Sequence, residues 1–353
     1  MPSSASGPLS GSLSGSPSPL ARLAGLPSAG AGHWPTPLHR LDRFSREVGR
    51  EIWIKRDDVQ GVALAGNKLR KFDLVLGQAA ADGCDTLVTT GAGQSNSART
   101  GAAVAAALGM ATVLVLSGDR PAELTGNLLL DGLLGAELRF VGDLSWSELN
   151  REVERVVAEL AAAGRRPVAA PVGCSSPLGT LGFARAFGEL DAQLAAAGLE
   201  PSAVVHTSTS GGTHAGLLVG RAAAGRDLRL VAVDAGSSFP DHAAGCLALA
   251  REAAALIGLD LALAVDEVEV EPPPPGDRYG VPSAEATAAI RLLARTEAVV
   301  TDPVYSGKGL AGLLRLIRSG RLGSDADAGS VVFWHTGGYH ALFDPHYAAS
   351  VLP

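Results

Sequence analysis

The segment Thr86-Leu87-Val88-Thr89-Thr90-Gly91-Ala92-Gly93-Gln94-Ser95-Asn96-Ser97 runs from a strand into a turn of glycine and polar side chains. An alanine-rich helical stretch follows from about Ala98 to Leu108, and Gly109 stops it. β-Branched residues suit a pleated, half-buried surface, alanine is the best helix former, and glycine supplies the left-handed helix end. The unit repeats downstream. Thr112 to Leu116 is predicted as a strand, Asn127 to Leu134 as a helix, and Glu137 to Val141 as a strand. Ser145 then caps a helix to Ala163, with Gly164 as its stop. Strands alternating with helices of this length indicate βαβ units, a parallel sheet and an α/β fold.

Working outward, Leu41 to Val48 has helical period and Glu51 to Lys55 alternates like a strand. Val168 to Val172 leads into the turn Gly173 to Gly179 and a long helix to about Ala197. A second βα series begins with the strand Ala203 to Thr207, the turn Ser208-Thr209-Ser210-Gly211-Gly212-Thr213, and a helix opening at His214. It continues through Leu230 to Ala235, a helix over Ala243 to Leu256, and a strand at Glu267 to Val270. Pro272 to Pro275 is a stiff linker. Helices at Ser283 to Ala294 and Gly309 to Ile317 and a strand at Val331 to Trp334 complete it. Two series of similar size, joined near residue 170, predict two lobes with a cleft between them. Residues 1 to 31 are rich in Ser, Gly, Pro and Ala without periodicity, so they read as a disordered tail, with order beginning near Trp34.

With 353 residues and 46% hydrophobic content the chain can bury a large core. No apolar run reaches the roughly 18 residues of a membrane span. A net charge of −7 and the lack of a basic stripe interleaved with aromatics argue against a nucleic-acid partner. Cys84, Cys174 and Cys246 are odd in number and widely spaced, which predicts reduced thiols and a cytoplasmic protein, without a disulfide or zinc framework.

Ligands of open α/β sheets bind at the carboxyl ends of strands, and polar, glycine-bearing turns stand at several of them. In Ser208 to Thr213, paired glycines free the backbone, hydroxyls add donors, and the following helix start favours a phosphate. An ordinary capped turn is the alternative. Gly91 to Ser97 lacks the third glycine of a dinucleotide fingerprint, which disfavours a nicotinamide oxidoreductase. The eight histidines lack metal-ligand spacing, so no metal is expected. Gly66-Asn67-Lys68-Leu69-Arg70-Lys71 sets three cations within four residues at a strand-to-helix transition. Lys68 is either a surface lysine or a reactive amine. Tyr279 and Tyr305 stand in loops beside Gly and Pro, suited to packing or to a site. A turn lysine and a phosphate-cradling loop without a nucleotide motif fit pyridoxal 5'-phosphate, which needs an amine for its aldehyde and an anion cup.

Lys55-Arg56-Asp57-Asp58, GNKLRK, GAGQSN, STSGGTHAG, DPVYSGKG and HTGG occur in this order between about Trp34 and Phe343. Together they resemble the D-cysteine desulfhydrase and 1-aminocyclopropane-1-carboxylate (ACC) deaminase family of fold-type II, tryptophan synthase β-like pyridoxal-phosphate enzymes. The resemblance implies two lobes, each a twisted, mostly parallel sheet flanked by helices, with the active site in the cleft. The larger, cofactor-binding lobe would comprise 32–70 with 170–353, and the smaller 71–169. Lys68 would take the cofactor aldehyde and later move the α-proton. Lys71 would lie near the phosphate, with Thr209, Ser210, Gly211, Gly212 and Thr213 as its cup, and Arg70 would face solvent. Asn96 would bond the ring hydroxyl and also meet the substrate, while Ser95 would contact the substrate carboxylate or assist proton transfer. Tyr279 and Tyr305 would flank the substrate. Ser306, Thr336 and Gly337 would line the ring-nitrogen end, beside Gly338. A homodimer is implied as well.

Two positions depart from the ACC deaminases, which resemble one another in a glutamate after the DPVY tyrosine and in HLGG. Here they are Ser306 and Thr336. A carboxylate keeps the pyridine nitrogen protonated and strengthens the electron sink, whereas a hydroxyl suits a readily departing β-substituent. The expectation is therefore β-elimination, with D-cysteine giving pyruvate, ammonia and sulfide. L-Cysteate sulfo-lyase and ACC deaminase activity are the alternatives. Ser97 and Tyr339-His340 also depart from the family and are expected to border the substrate. They leave room for a cofactor-binding homologue without such turnover, or for a tailoring role on an unusual amino acid.

Overall fold

The strands at Ala203–Ser208, Leu230–Asp234 and Val331–His335 carry apolar residues on both faces, as a sheet buried between helix layers requires. The computed structural model describes residues 17–64, 66–236, 241–323 and 329–352, so residues 1–16 of the predicted tail lie outside the described residues. Its strands are β1 (Leu38–Arg40), β2 (Ile52–Arg56), β3 (Thr86–Ala92), β4 (Ala111–Ser117), β5 (Glu137–Phe140), β6 (Pro167–Ala170), β7 (Ala203–Ser208), β8 (Leu230–Asp234), β9 (Val270–Glu271) and β10 (Val331–His335). They form a six-stranded sheet in the order β1-β2-β10-β7-β8-β9 and a four-stranded sheet in the order β5-β4-β3-β6. All pairings are parallel except β1 with β2.

The helices are α1 (Pro19–Ala24), α2 (Asp42–Val48), α3 (Lys68–Ala81), α4 (Asn96–Ala107), α5 (Gly126–Leu133), α6 (Trp146–Ala162), α7 (Pro177–Ala197), α8 (Gly212–Ala224), α9 (His242–Leu256), α10 (Ala284–Glu297), α11 (Ser306–Arg318) and α12 (Pro345–Val351). Side chains alternate across a strand, so Val204, Val332 and Trp334 join one core with Leu181, Phe187 and Leu217. Their neighbours Val205 and Phe333 join the opposite core with Phe44, Leu293 and Leu313. In the smaller sheet Val88, Val113 and Val115 pack on Leu149, Val153 and Val156 of α6.

The tail expectation is corrected over residues 17–31. Leu23 is buried in the larger core, and Arg185 donates to the carbonyls of Leu23 and Leu26. Asp73 of α3 accepts from Ser28 Oγ at 2.6 Å and from the Ala31 amide at 3.1 Å. Gly77 permits the close approach, since a Cβ there would lie 2.6 Å from Ser28. The segment is ordered by partners distant in sequence, so its composition alone misleads.

Arg70 is the second correction. It is buried, and its guanidinium makes paired 2.8 Å bonds to the two Asp57 oxygens and further bonds to Glu189, with the Trp34 ring 4.2 Å away. Burial works against its charge, yet the two carboxylates hold its pKa above the ordinary value. The predicted strand at Glu267 to Val270 is displaced to β9, after a short 3₁₀ turn at Val265–Glu267.

Candidate active site

A cleft of about 730 Å³ collects turns that the sequence keeps far apart. The turn before α3, the β3–α4 turn, the β7–α8 turn and the turn after β10 all open into it, with Tyr279 and Tyr305 on its wall. Gly66 must be glycine: its φ is +72°, and a Cβ would lie 2.6 Å from the Thr336 carbonyl. That carbonyl accepts from the Asn67 amide at 3.0 Å, so the lysine turn and the HTGG turn interlock.

Lys68, the first residue of α3, is half-buried and lines the cleft. Burial lowers its pKa to about 8, because desolvation disfavours the ammonium. Its Nζ lies 3.3 Å from Asn67 Oδ1, while Asn67 Nδ2 donates to Thr213 Oγ1 at 3.1 Å. Asn67 therefore ties the amine to the β7–α8 turn, a role that its type alone does not reveal.

In that turn Gly211 has φ +79° and places the start of α8 without a side-chain cap. The first amides of α8 are thus left for a ligand. Ser208, Thr209, Ser210, Gly211 and Thr213 line the cleft. Gly212 does not, but a Cβ there would lie 2.6 Å from Lys71 Nζ and 2.7 Å from Ser175 Oγ. Lys71 is fully buried and donates to the Gly173 carbonyl at 3.2 Å and to Ser175 Oγ at 3.0 Å. Burial first, then the nearby Lys68, hold its pKa well below the ordinary value. Ser175 donates onward to Ser210 Oγ at 2.8 Å. Ser175 and Gly173 were not among the sequence-derived candidates, although their turn was noted.

On the facing sheet, Ser95 caps α4 by accepting from the Ala98 amide and keeps its own proton free to donate. The Asn96 amide is oriented from behind: Asn127 Nδ2 donates to Asn96 Oδ1 at 3.0 Å, and Asn127 is held by Gln94. The Asn96 Nδ2 side is left as a donor, near Gly338. Ser97 Oγ is buried without a partner among the described residues, and the residue lines the cleft. The Tyr279 and Tyr305 hydroxyls contact each other, and Trp146 packs edge-on against Tyr279 with centroids 5.5 Å apart. Burial raises both tyrosine pKa values, Tyr279 to about 12. Trp146 also lines the cleft. It lies at the start of a helix whose periodicity explains its apolar character, so no sequence signal singled it out.

Thr336 and Gly337 line the cleft, and the Gly337 amide donates to His335 Nδ1 at 3.1 Å. Ser306 does not line it. It is fully buried, and its hydroxyl donates to Asp302 Oδ2 at 2.7 Å, because Asp302 gathers the amides that start α11. Tyr339 and His340 also lie outside the lining; they stack on each other with centroids 4.7 Å apart.

These residues fit pyridoxal phosphate on three observations. A partly buried amine of lowered pKa faces the cleft, an uncapped helix start beside buried Lys71 is cleared by Gly212, and an oriented amide donor stands at Asn96. Fold and site together define a fold-type II enzyme that works with this cofactor. The chain belongs to the family of pyridoxal-phosphate dependent enzymes, whose sequence pattern matches residues 30–337. It is 39% identical over 324 residues to a protein of Pyrococcus abyssi named putative ACC deaminase, covering 90% of this chain and 93% of the relative. It is 40% identical over 316 residues to the D-cysteine desulfhydrase of Yersinia pestis, covering 88% and 93%. The solved structure of an ACC deaminase homologue superimposes with a TM-score of 0.86 at 36% identity, covering 95% of this chain and 98% of the other.

Proposed function

We propose that this enzyme is a lyase that eliminates a β-substituent from a small amino acid, with D-cysteine as substrate. Pyridoxal phosphate, when bound, supplies the sink for the electron pair left at the substrate α-carbon. Lys68 takes the α-proton on Nζ, an assignment supported by its lowered pKa, since an amine near pKa 8 is partly neutral at physiological pH. Lys71 and the start of α8 hold the phosphate. Asn96 donates to the ring hydroxyl, and Ser95 donates to the substrate carboxylate. The tyrosine pair and Trp146 shut water from one side. From D-cysteine and water the products are pyruvate, ammonia and sulfide.

The observation that carries this reading is that, among the described residues, no carboxylate lines the cleft. Thr336 can share a hydrogen bond with the ring nitrogen without fixing a proton there, which suits a good leaving group such as sulfide. Ser306, committed to Asp302, is withdrawn from that role. The second reading is ACC deamination to 2-oxobutyrate, favoured by the relatives that carry that name. L-Cysteate, with sulfite as leaving group, is the third. Incubation with each amino acid followed by identification of the oxo acid separates them. Pyruvate from D-cysteine is expected; 2-oxobutyrate from ACC without pyruvate from D-cysteine would reverse the assignment. A cytoplasmic location, supported by three unpaired cysteines, and a homodimer, implied by the family and testable by light scattering, accompany the proposal.

A further inference from the structure

Behind the anion cup lies a histidine that none of the assignments above uses. Ser208, at the end of β7, lines the cleft, and its Oγ sits 2.8 Å from Nε2 of His242, the first residue of α9. The Nδ1 of the same ring lies 3.8 Å from Asp234 Oδ2 at the end of β8. We propose that His242 is a positioning residue for the cofactor's phosphate, because it decides whether the Ser208 hydroxyl offers the cup a lone pair or a proton.

The argument follows from donor and acceptor inventory. The Asp234 carboxylate favours a proton on Nδ1, so in the neutral ring Nε2 accepts the Ser208 proton. That proton is then turned away from the cup. When His242 is protonated, Nε2 donates to Ser208 Oγ, and the hydroxyl proton is released for an anion oxygen. A dianion in the cup and a proton on His242 therefore favour each other, and the coupling is reciprocal.

The groups that face His242 are Asp234 from β8, His206 from β7 and His214 from α8. His206 and His214 bond each other at 3.0 Å. Burial holds His206 at about 4 and His214 well below its ordinary value, so both are largely neutral above about pH 5.5. Lys308 of α11 also interacts electrostatically with Asp234. Burial lowers the His242 pKa, with Asp234 opposing; a bound anion would raise it again.

The inference rests on the reading of Ser208 to Thr213 as the phosphate cup, and sulfate tests the two separately because it stays a dianion across the range. Sulfate affinity of the apoprotein is measured between about pH 5.5 and 7.5 for the wild type and for His242→Gln, which keeps a hydrogen-bonding group but no titration. Lys68 and Lys71 contribute equally to both proteins. The wild type is expected to gain at least about threefold more affinity on acidification than the variant. In the wild type alone, sulfate is expected to move the His242 imidazole resonance and raise its midpoint. If sulfate fails to compete with pyridoxal phosphate, the cup and the relay both fall. If it competes, but the pH slopes coincide and the His242 midpoint stays fixed, the relay alone is overturned.

Discussion

Burial lowers the Lys68 pKa to about 8, and no neighbouring cation is needed for it. At pH 7 that leaves about a tenth of the amine neutral, roughly 300-fold more than an unperturbed lysine. The rate at which apoprotein captures pyridoxal phosphate should rise about tenfold per pH unit up to about 8 and then level off. An ordinary lysine would keep climbing toward pH 10, and stopped-flow absorbance distinguishes the two. The stability sign follows from the same shift. Between about 8 and 10.5 the unfolded chain binds more protons, so apoprotein stability rises with pH through that window. Below it the penalty is complete, and Lys68→Met should be more stable than wild type in urea at neutral pH. Arg70 teaches the opposite lesson. Its turn shows three adjacent cations, but its carboxylate partners lie 13 and 119 residues away, so only the fold discloses a buried ion pair. Arg70→Met would strip buried Asp57 of its ion-pair partner, while Glu189 keeps Lys55, at a cost of about 3–5 kcal/mol readable by denaturant unfolding.

At the scale of elements, local propensity was legible where each strand or helix satisfies itself. The Ser145 cap, with its Glu148 partner, and the helix end at Ala197 stand where their residues predict. α1 and the edge strand β1 were not legible, since both are held by distant contacts rather than by their own period. Packing between helices also hides chemistry. Asp131 of α5 is buried beside Arg99 of α4, and neither carboxylate oxygen has a hydrogen-bond partner among the described residues. Burial outweighs the arginine and raises Asp131 to about 7. The folded state then binds the extra proton between about 4 and 7, so this group makes stability fall as pH rises through that range. Asp131→Asn should remove the slope and stabilise the protein above pH 7 by about 1–3 kcal/mol, checked by urea unfolding across pH. On α8 the decisive feature is a missing methyl. Gly212→Ala should weaken cofactor binding about tenfold or more, because its Cβ meets Lys71 and Ser175. The melting temperature should hold, since alanine favours the helix.

At the scale of the whole molecule, each lobe supplies half of a wall that neither could build alone. Trp146 comes from the helix packed on the four-stranded sheet, while Tyr279 and Tyr305 come from segments that cover the six-stranded one. The motifs of the Ser208 to Thr213 turn are contiguous in sequence and were readable; of this wall, Tyr279 and Tyr305 were named from their loops, whereas Trp146, which reaches them from the other sheet, was not. An edge-to-face pair contributes about 0.5–1.5 kcal/mol beyond its buried area, and here both partners line the cleft. Trp146→Ala should therefore raise KM for a small amino acid about three- to tenfold while moving kcat less. Substrates with a longer β-substituent should lose less and gain in relative kcat/KM, because they can occupy the space of the indole. The comparison to make is kcat/KM for D-cysteine against its S-alkyl derivatives in both proteins. An unchanged ratio would mean that the indole supports Tyr279 without bounding the substrate, and would place the specificity wall at the tyrosine pair alone.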